Sequence, residues 1–78
     1  MLEALVFLPR RDGRYALVAK RATLEEARQS PLGQRKDAIV FVGDLQELRG
    51  IMTEDEIKAY CARRARIAVK ENGVLTVY

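Results

Sequence analysis

The chain has 78 residues, 49% hydrophobic and 32% charged, with a net charge of +3, no His and a single Cys. That length suits one small globular domain spanning residues 1–78, burying roughly 60% of its unfolded surface. Five Gly and two Pro are ordinary values that argue against a long disordered segment, and the basic excess argues against a mimic of DNA, which would present carboxylates.

The opening "MLEALVFLPRR" is interrupted by Glu3 and lacks a basic leader and a small-residue cleavage site, so it does not read as a signal peptide. No stretch approaches the roughly 20 apolar residues that span a bilayer. The expectation is a soluble, cytoplasmic protein with no membrane contact, and one Cys suits a reducing compartment. Residues 2–8, "LEALVFL", and 15–20, "YALVAK", are apolar, β-branched and aromatic enough for strands. Asp12-Gly13 between them is a hairpin signal, because Gly supplies the positive φ such turns require. Glu3 places one face of the first strand near solvent at its start.

Thr23, with Glu26 three residues on, reads as a capping box opening a short helix. Pro31 and Gly33 make "SPLGQRKD" a loop. "AIVFVG", 38–43, is apolar on both faces, as expected for a central strand covered on each side or for one lying in a homodimer contact. Asp44 with Glu47 suggests a further helix of one or two turns. Thr53 with Glu56 repeats the box more completely, Met52 and Ile57 supplying a hydrophobic staple. The helix begun there is expected to run to about Asn72, with Gly73 as its C′ residue, before "VLTVY" closes the chain as a strand with an apolar edge.

The resulting order is ββαβ(α)αβ: about four strands and one long helix. The fold class expected is α/β or α+β, a two-layer sandwich with the helices on one face of the sheet. Helix-containing connections before the third and fourth strands suit right-handed crossovers between parallel strands.

Chemistry is sparsely signalled. Without His the commonest general base and metal ligand are missing, and no phosphate-cradling glycine pattern occurs, so no cofactor, metal or catalytic residue is assigned. Asp44, Glu47 and Glu54 fall at capping or first-turn positions, and Asp37 lies near the start of the third strand. Cys61 lies on the apolar helix stripe as a small hydrophobe, with Arg64 a turn away as its only argument for reactivity. A small enzyme using carboxylates or Cys61 is the weakest reading.

"YCARRARIAVK", 60–70, carries the remaining information. On a helix Arg63, Arg66 and Lys70 share a face opposite Ile57, Cys61, Ala65 and Ala68, which a solvated face completing the macrodipole explains. Arg64 would then reach Tyr60 or Glu71. If both crossovers are parallel, one end of the sheet gathers Arg10, Arg11, Arg14, Arg35, Lys36, Arg66 and Lys70. These residues and Arg63 form the expected anion- or partner-binding set. Tyr15 is the one aromatic placed to stack beside them. The functional expectation is a small non-catalytic interaction module that regulates or inhibits a larger protein or nucleoprotein assembly through its surface. The alternative is a DNA- or RNA-binding protein using the basic end.

Overall fold

The computed structural model describes residues 2–63 and, as strand backbone, 68–71 and 74–77. Strand β1 (Leu2–Pro9) turns into β2 (Tyr15–Arg21), and helix α1 (Leu24–Gln29) leads to β3 (Ile39–Asp44). A two-residue strand β4 (Ile51–Met52) then precedes helix α2 (Glu54–Arg63), and β5 (Ala68–Glu71) and β6 (Val74–Val77) follow. The fold is α+β. Its sheet runs β4-β2-β1-β3-β6-β5. The four strands β4, β2, β1 and β3 are antiparallel throughout, and β6 joins β3 in parallel with β5 antiparallel beyond it.

The hairpin forms where Asp12-Gly13 marks it. Gly13 sits at φ 84°, a conformation that costs a residue with a Cβ and costs Gly little. The Asp12 carboxylate accepts from the Arg14 amide at 3.0 Å, and the Arg10 amide donates to the Arg14 carbonyl across the loop. Both Thr caps also form. Thr23 Oγ1 accepts from the Glu26 amide at 3.2 Å. Thr53 Oγ1 accepts from the Glu56 amide at 3.1 Å, and Glu56 Oε1 takes the Thr53 amide at 2.9 Å, so two orphan donors are satisfied reciprocally.

Side-chain alternation in β1 and β3 divides the core. Leu5, Phe7, Ile39 and Phe41 pack with Met52, Ile57, Tyr60 and Cys61, which is the face covered by α2. Ala4, Val6 and Val40 pack with Ala27 and Ala38, with Leu24 and Leu32 at the margin, which is the face covered by α1. The two helices therefore lie on opposite faces, and the expected two-layer arrangement with both helices on one face is corrected. β1 carries the reason. Residues 4–7 are all fully buried, a continuous apolar run of the kind that a strand covered on both faces requires.

Three further expectations give way. The helix expected to reach Asn72 falls short of it: among the described residues it spans Glu54–Arg63, and Ala68–Glu71 is a strand; the C′ role assigned to Gly73 lies outside the described residues. At Asp44 there is a turn and not a helix, with Asp44 Oδ1 accepting from the Gln46 amide at 2.9 Å and β4 following. The C-terminal strand β6 is interior, between β3 and β5, so the sheet edge on that side belongs to β5. The parallel relations expected of the crossovers are present: β2 and β3 both run antiparallel to β1, and β3 is parallel to β6.

Below α1 the chain turns sharply on Ser30. Its Oγ donates to the Ala27 carbonyl at 2.6 Å and accepts from the Gly33 amide at 3.1 Å. Gly33 lies so close to the helix that a Cβ there would stand 1.8 Å from the Ala27 carbonyl oxygen. This packed turn delivers residues 35–38 to the start of β3.

Candidate functional site

Register places the basic residues. Phe7, near the end of β1, pairs with Ile39 at the start of β3, so the hairpin loop with Arg10, Arg11 and Arg14 and the segment with Arg35 and Lys36 share one end of the sheet. Lys70 pairs with Leu75, which in turn pairs with Ile39, so its backbone stands at the same end, two strands beyond β3. Arg63 does not join them. Tyr60, one turn before it, accepts from the Asp44 amide at 3.0 Å, and Asp44 pairs with Leu2 at the opposite end. Arg66 lies outside the described residues, as does the expected partnership of Arg64 with Tyr60 or Glu71. The cation over the Tyr60 ring is Arg63, 5.7 Å from its centroid.

Acids thin the gathered charge. Arg10 pairs with Asp12 at 3.3 Å, and Arg35 grips Asp37 with two bonds, Nε to Oδ1 at 3.1 Å and NH2 to Oδ2 at 3.0 Å. Arg11, Arg14 and Lys36 are exposed and take part in no ion pair among the described residues. Exposed ion pairs contribute only about 0–1 kcal/mol. An incoming anion could therefore exchange with Asp12 or Asp37 at little cost, and Arg10 and Arg35 remain usable.

Beside this end, between the hairpin base and the first turn of α2, lies an open cleft of about 290 Å³ lined by Tyr15, Lys36, Asp37, Ile39, Glu54 and Lys58. Tyr15 is half-buried, packs against the α2-side core and donates to Glu54 Oε1 at 3.4 Å, so its ring is not the exposed stacking platform the sequence suggested. Burial, followed by the neighbouring Glu54 carboxylate, pushes the Tyr15 phenol up. The ammonium of Lys58, 2.9 Å from Glu54, holds that carboxyl below its ordinary range and is itself pushed up by the same contact. Each acid of the cleft has a cation against it.

The other groups weighed for chemistry are tied into the fold. Cys61 is 5% exposed within the α2-side core. Glu47 accepts from the Tyr60 hydroxyl at 3.1 Å, and the Thr53 backbone amide bonded to Glu56 draws that carboxyl down. Among the described residues no group of three or more His, Cys, Asp and Glu is placed to hold a metal ion, and no helix is long and apolar enough to cross a membrane. Comparison with protein-family models, curated proteins and solved structures gives no match.

Two features escaped the sequence reading: the edge strand β4 and the β5–β6 hairpin. β4 is too short to leave a periodic signal. The hairpin does carry one, because Glu71 pairs with Val74 and the two residues between them are Asn72-Gly73, a dipeptide that marks a two-residue hairpin as well as a helix end.

Proposed function

We propose that this chain is a small interaction module that regulates or inhibits a larger protein or nucleoprotein assembly through its surface, with the hairpin end of the sheet as the contact region. The observation that carries the reading is the meeting of Arg10, Arg11 and Arg14 with Arg35 and Lys36, which the pairing of Phe7 with Ile39 brings to one end. An exposed cation cluster on a rigid sheet end suits an anionic partner, and the arginine fork suits carboxylate and phosphate alike. The commitment of Glu47, Glu54, Asp37 and Cys61 to structural contacts supports an interaction role over a catalytic one.

Direct nucleic-acid binding by the same end is the second reading, favoured by Arg11, Arg14 and Lys36 standing outside any described ion pair. Among the described residues Tyr15 is tied to Glu54 and Phe7, Phe41 and Tyr60 are buried, so their part of such binding would rest on phosphates and not on base stacking.

The test is fluorescence anisotropy of labelled single- and double-stranded DNA and RNA at low and near-physiological salt, with wild type and an Arg10/Arg11/Arg14 triple-Ala variant. Binding that weakens with salt and disappears in the variant establishes the second reading. Affinity capture with the same two proteins tests the first: a partner held by wild type and lost by the variant, and rebound when purified, establishes it. Identical capture by both proteins overturns the hairpin end as the contact region.

A further inference from the structure

The opposite margin of the sheet has a different character. β4 covers β2 only at Tyr15 and Ala16, and the Leu17 amide reaches the Gly50 carbonyl at 2.8 Å. Past that point, from Val18 to Arg21, no strand lies on the outer side of β2 among the described residues. Val18 is the extra residue where the β1–β2 register shifts between Val6 and Phe7. It is 40% exposed, and Ile51 on β4 is 41% exposed.

The strands of this margin carry only cations, and acids stand at its α2 end. The segments that form it, 13–22 and 48–53, contain Arg14, Lys20, Arg21 and Arg49 and no Asp or Glu. Of the three acids that follow the second segment, Glu54 is engaged by Lys58 and Glu56 by the Thr53 amide, while Asp55 is exposed on the first turn of α2, past Tyr15 and away from the open part of β2. Lys20 and Arg21 are exposed and in no ion pair among the described residues. The Arg21 guanidinium folds onto the Lys20 carbonyl at 2.8 Å, which shows that this carbonyl is available to a donor other than β1.

We propose that the β2/β4 margin accepts an extended acidic segment of a partner protein as an added strand. Main-chain hydrogen bonds to the open part of β2 supply affinity, Val18 and Ile51 supply apolar contacts, and Lys20 and Arg21 select carboxylates. The same features decide against a second copy of this chain. Two such margins would oppose like charges, and a bulge with flanking cations is the usual device that keeps an edge strand from pairing with itself. A strand of opposite charge meets no such barrier. The inference does not depend on what the hairpin end binds.

The experiment is anisotropy of a short, blocked, labelled peptide of alternating Glu and Val against the full chain, with circular dichroism confirming that each variant is folded. Binding is expected to weaken about tenfold or more in Lys20→Glu/Arg21→Glu and to fail with a peptide whose alternate backbone amides are N-methylated. Equal affinity for the methylated peptide overturns strand addition, and equal affinity in the charge-reversed variant overturns the assigned margin. Oligonucleotide binding lost in Lys20→Glu/Arg21→Glu would make the margin a polyanion surface, and a dimer abolished by Val18→Lys would make it a self-contact. Either result overturns the proposal. Failure of the Arg10/Arg11/Arg14 variant to lose a partner leaves it standing.

Discussion

Replacing Gly33 by Ala tests the turn that delivers residues 35–38 to the basic end. An added Cβ would lie 1.8 Å from the Ala27 carbonyl oxygen, 2.8 Å from its carbon and 2.9 Å from Ser30 Oγ. Two of those atoms are helix backbone, which cannot rotate away, so the turn must separate from α1. Separation breaks the two Ser30 hydroxyl bonds, together about 2 kcal/mol net, and the residual crowding adds about 1–3 kcal/mol. The expected loss is about 3–5 kcal/mol, a large share of the roughly 4–12 kcal/mol available to a chain this long. Urea unfolding should show the midpoint falling, with the variant partly unfolded at the upper limit. Ser30→Ala, which removes the hydroxyl bonds without the clash, should cost about 2 kcal/mol. A Gly33→Ala protein within about 0.5 kcal/mol of wild type would refute the close approach of the turn to α1.

Thr53→Ala should weaken the start of α2 by about 1 kcal/mol, and thermal melts that coincide with wild type would show that the box contributes nothing. Tyr60→Phe removes the hydroxyl shared by the Asp44 amide and Glu47, and should cost about 1–2 kcal/mol in urea unfolding; an unchanged midpoint would mean that water replaces it. Glu54 and Glu56 both have carboxyls held below their ordinary value of 4.5. Their stabilisation is present above that value and is lost as pH falls through the lower folded values. Urea midpoints should therefore decline through that acid range more steeply in wild type than in Glu56→Gln, and parallel curves would contradict it. Lys58, pushed up by Glu54, works in the other sense: its contribution is present below 10.5 and fades as pH rises past its folded value.

Local chemistry was the legible part of this sequence. Asp12-Gly13, Thr23, Thr53 and the doubly apolar "AIVFVG" each specify a conformation through neighbouring residues alone, and each is found where that chemistry places it. The missed features are tertiary. Residues 57–70 satisfy a helical stripe, yet Ala68–Glu71 pairs with β6, so strand pairing outweighs the local periodicity there. Opposite placement of the helices is encoded in the unbroken apolar run 4–8, "ALVFL", against which Glu3 at the start of the strand is the one contrary signal. Of the basic set, Arg10, Arg11, Arg14, Arg35 and Lys36 converge because β1 runs antiparallel to both β2 and β3, which puts the hairpin loop beside the start of β3. Arg63 departs because the helix carrying it descends from the hairpin end.

One parallel seam joins the sheet's two antiparallel parts, Ile39 to Leu75, Val40 to Thr76 and Phe41 to Val77. Ile39 and Leu75 are 36 positions apart, so this seam closes a longer loop than the β1–β2 hairpin and is expected to form after it. Until it forms, a strand apolar on both faces has one margin bare, and the segment that completes one sheet can complete that of a second copy. The risk of strand exchange between copies thus belongs to folding and closes when β6 docks.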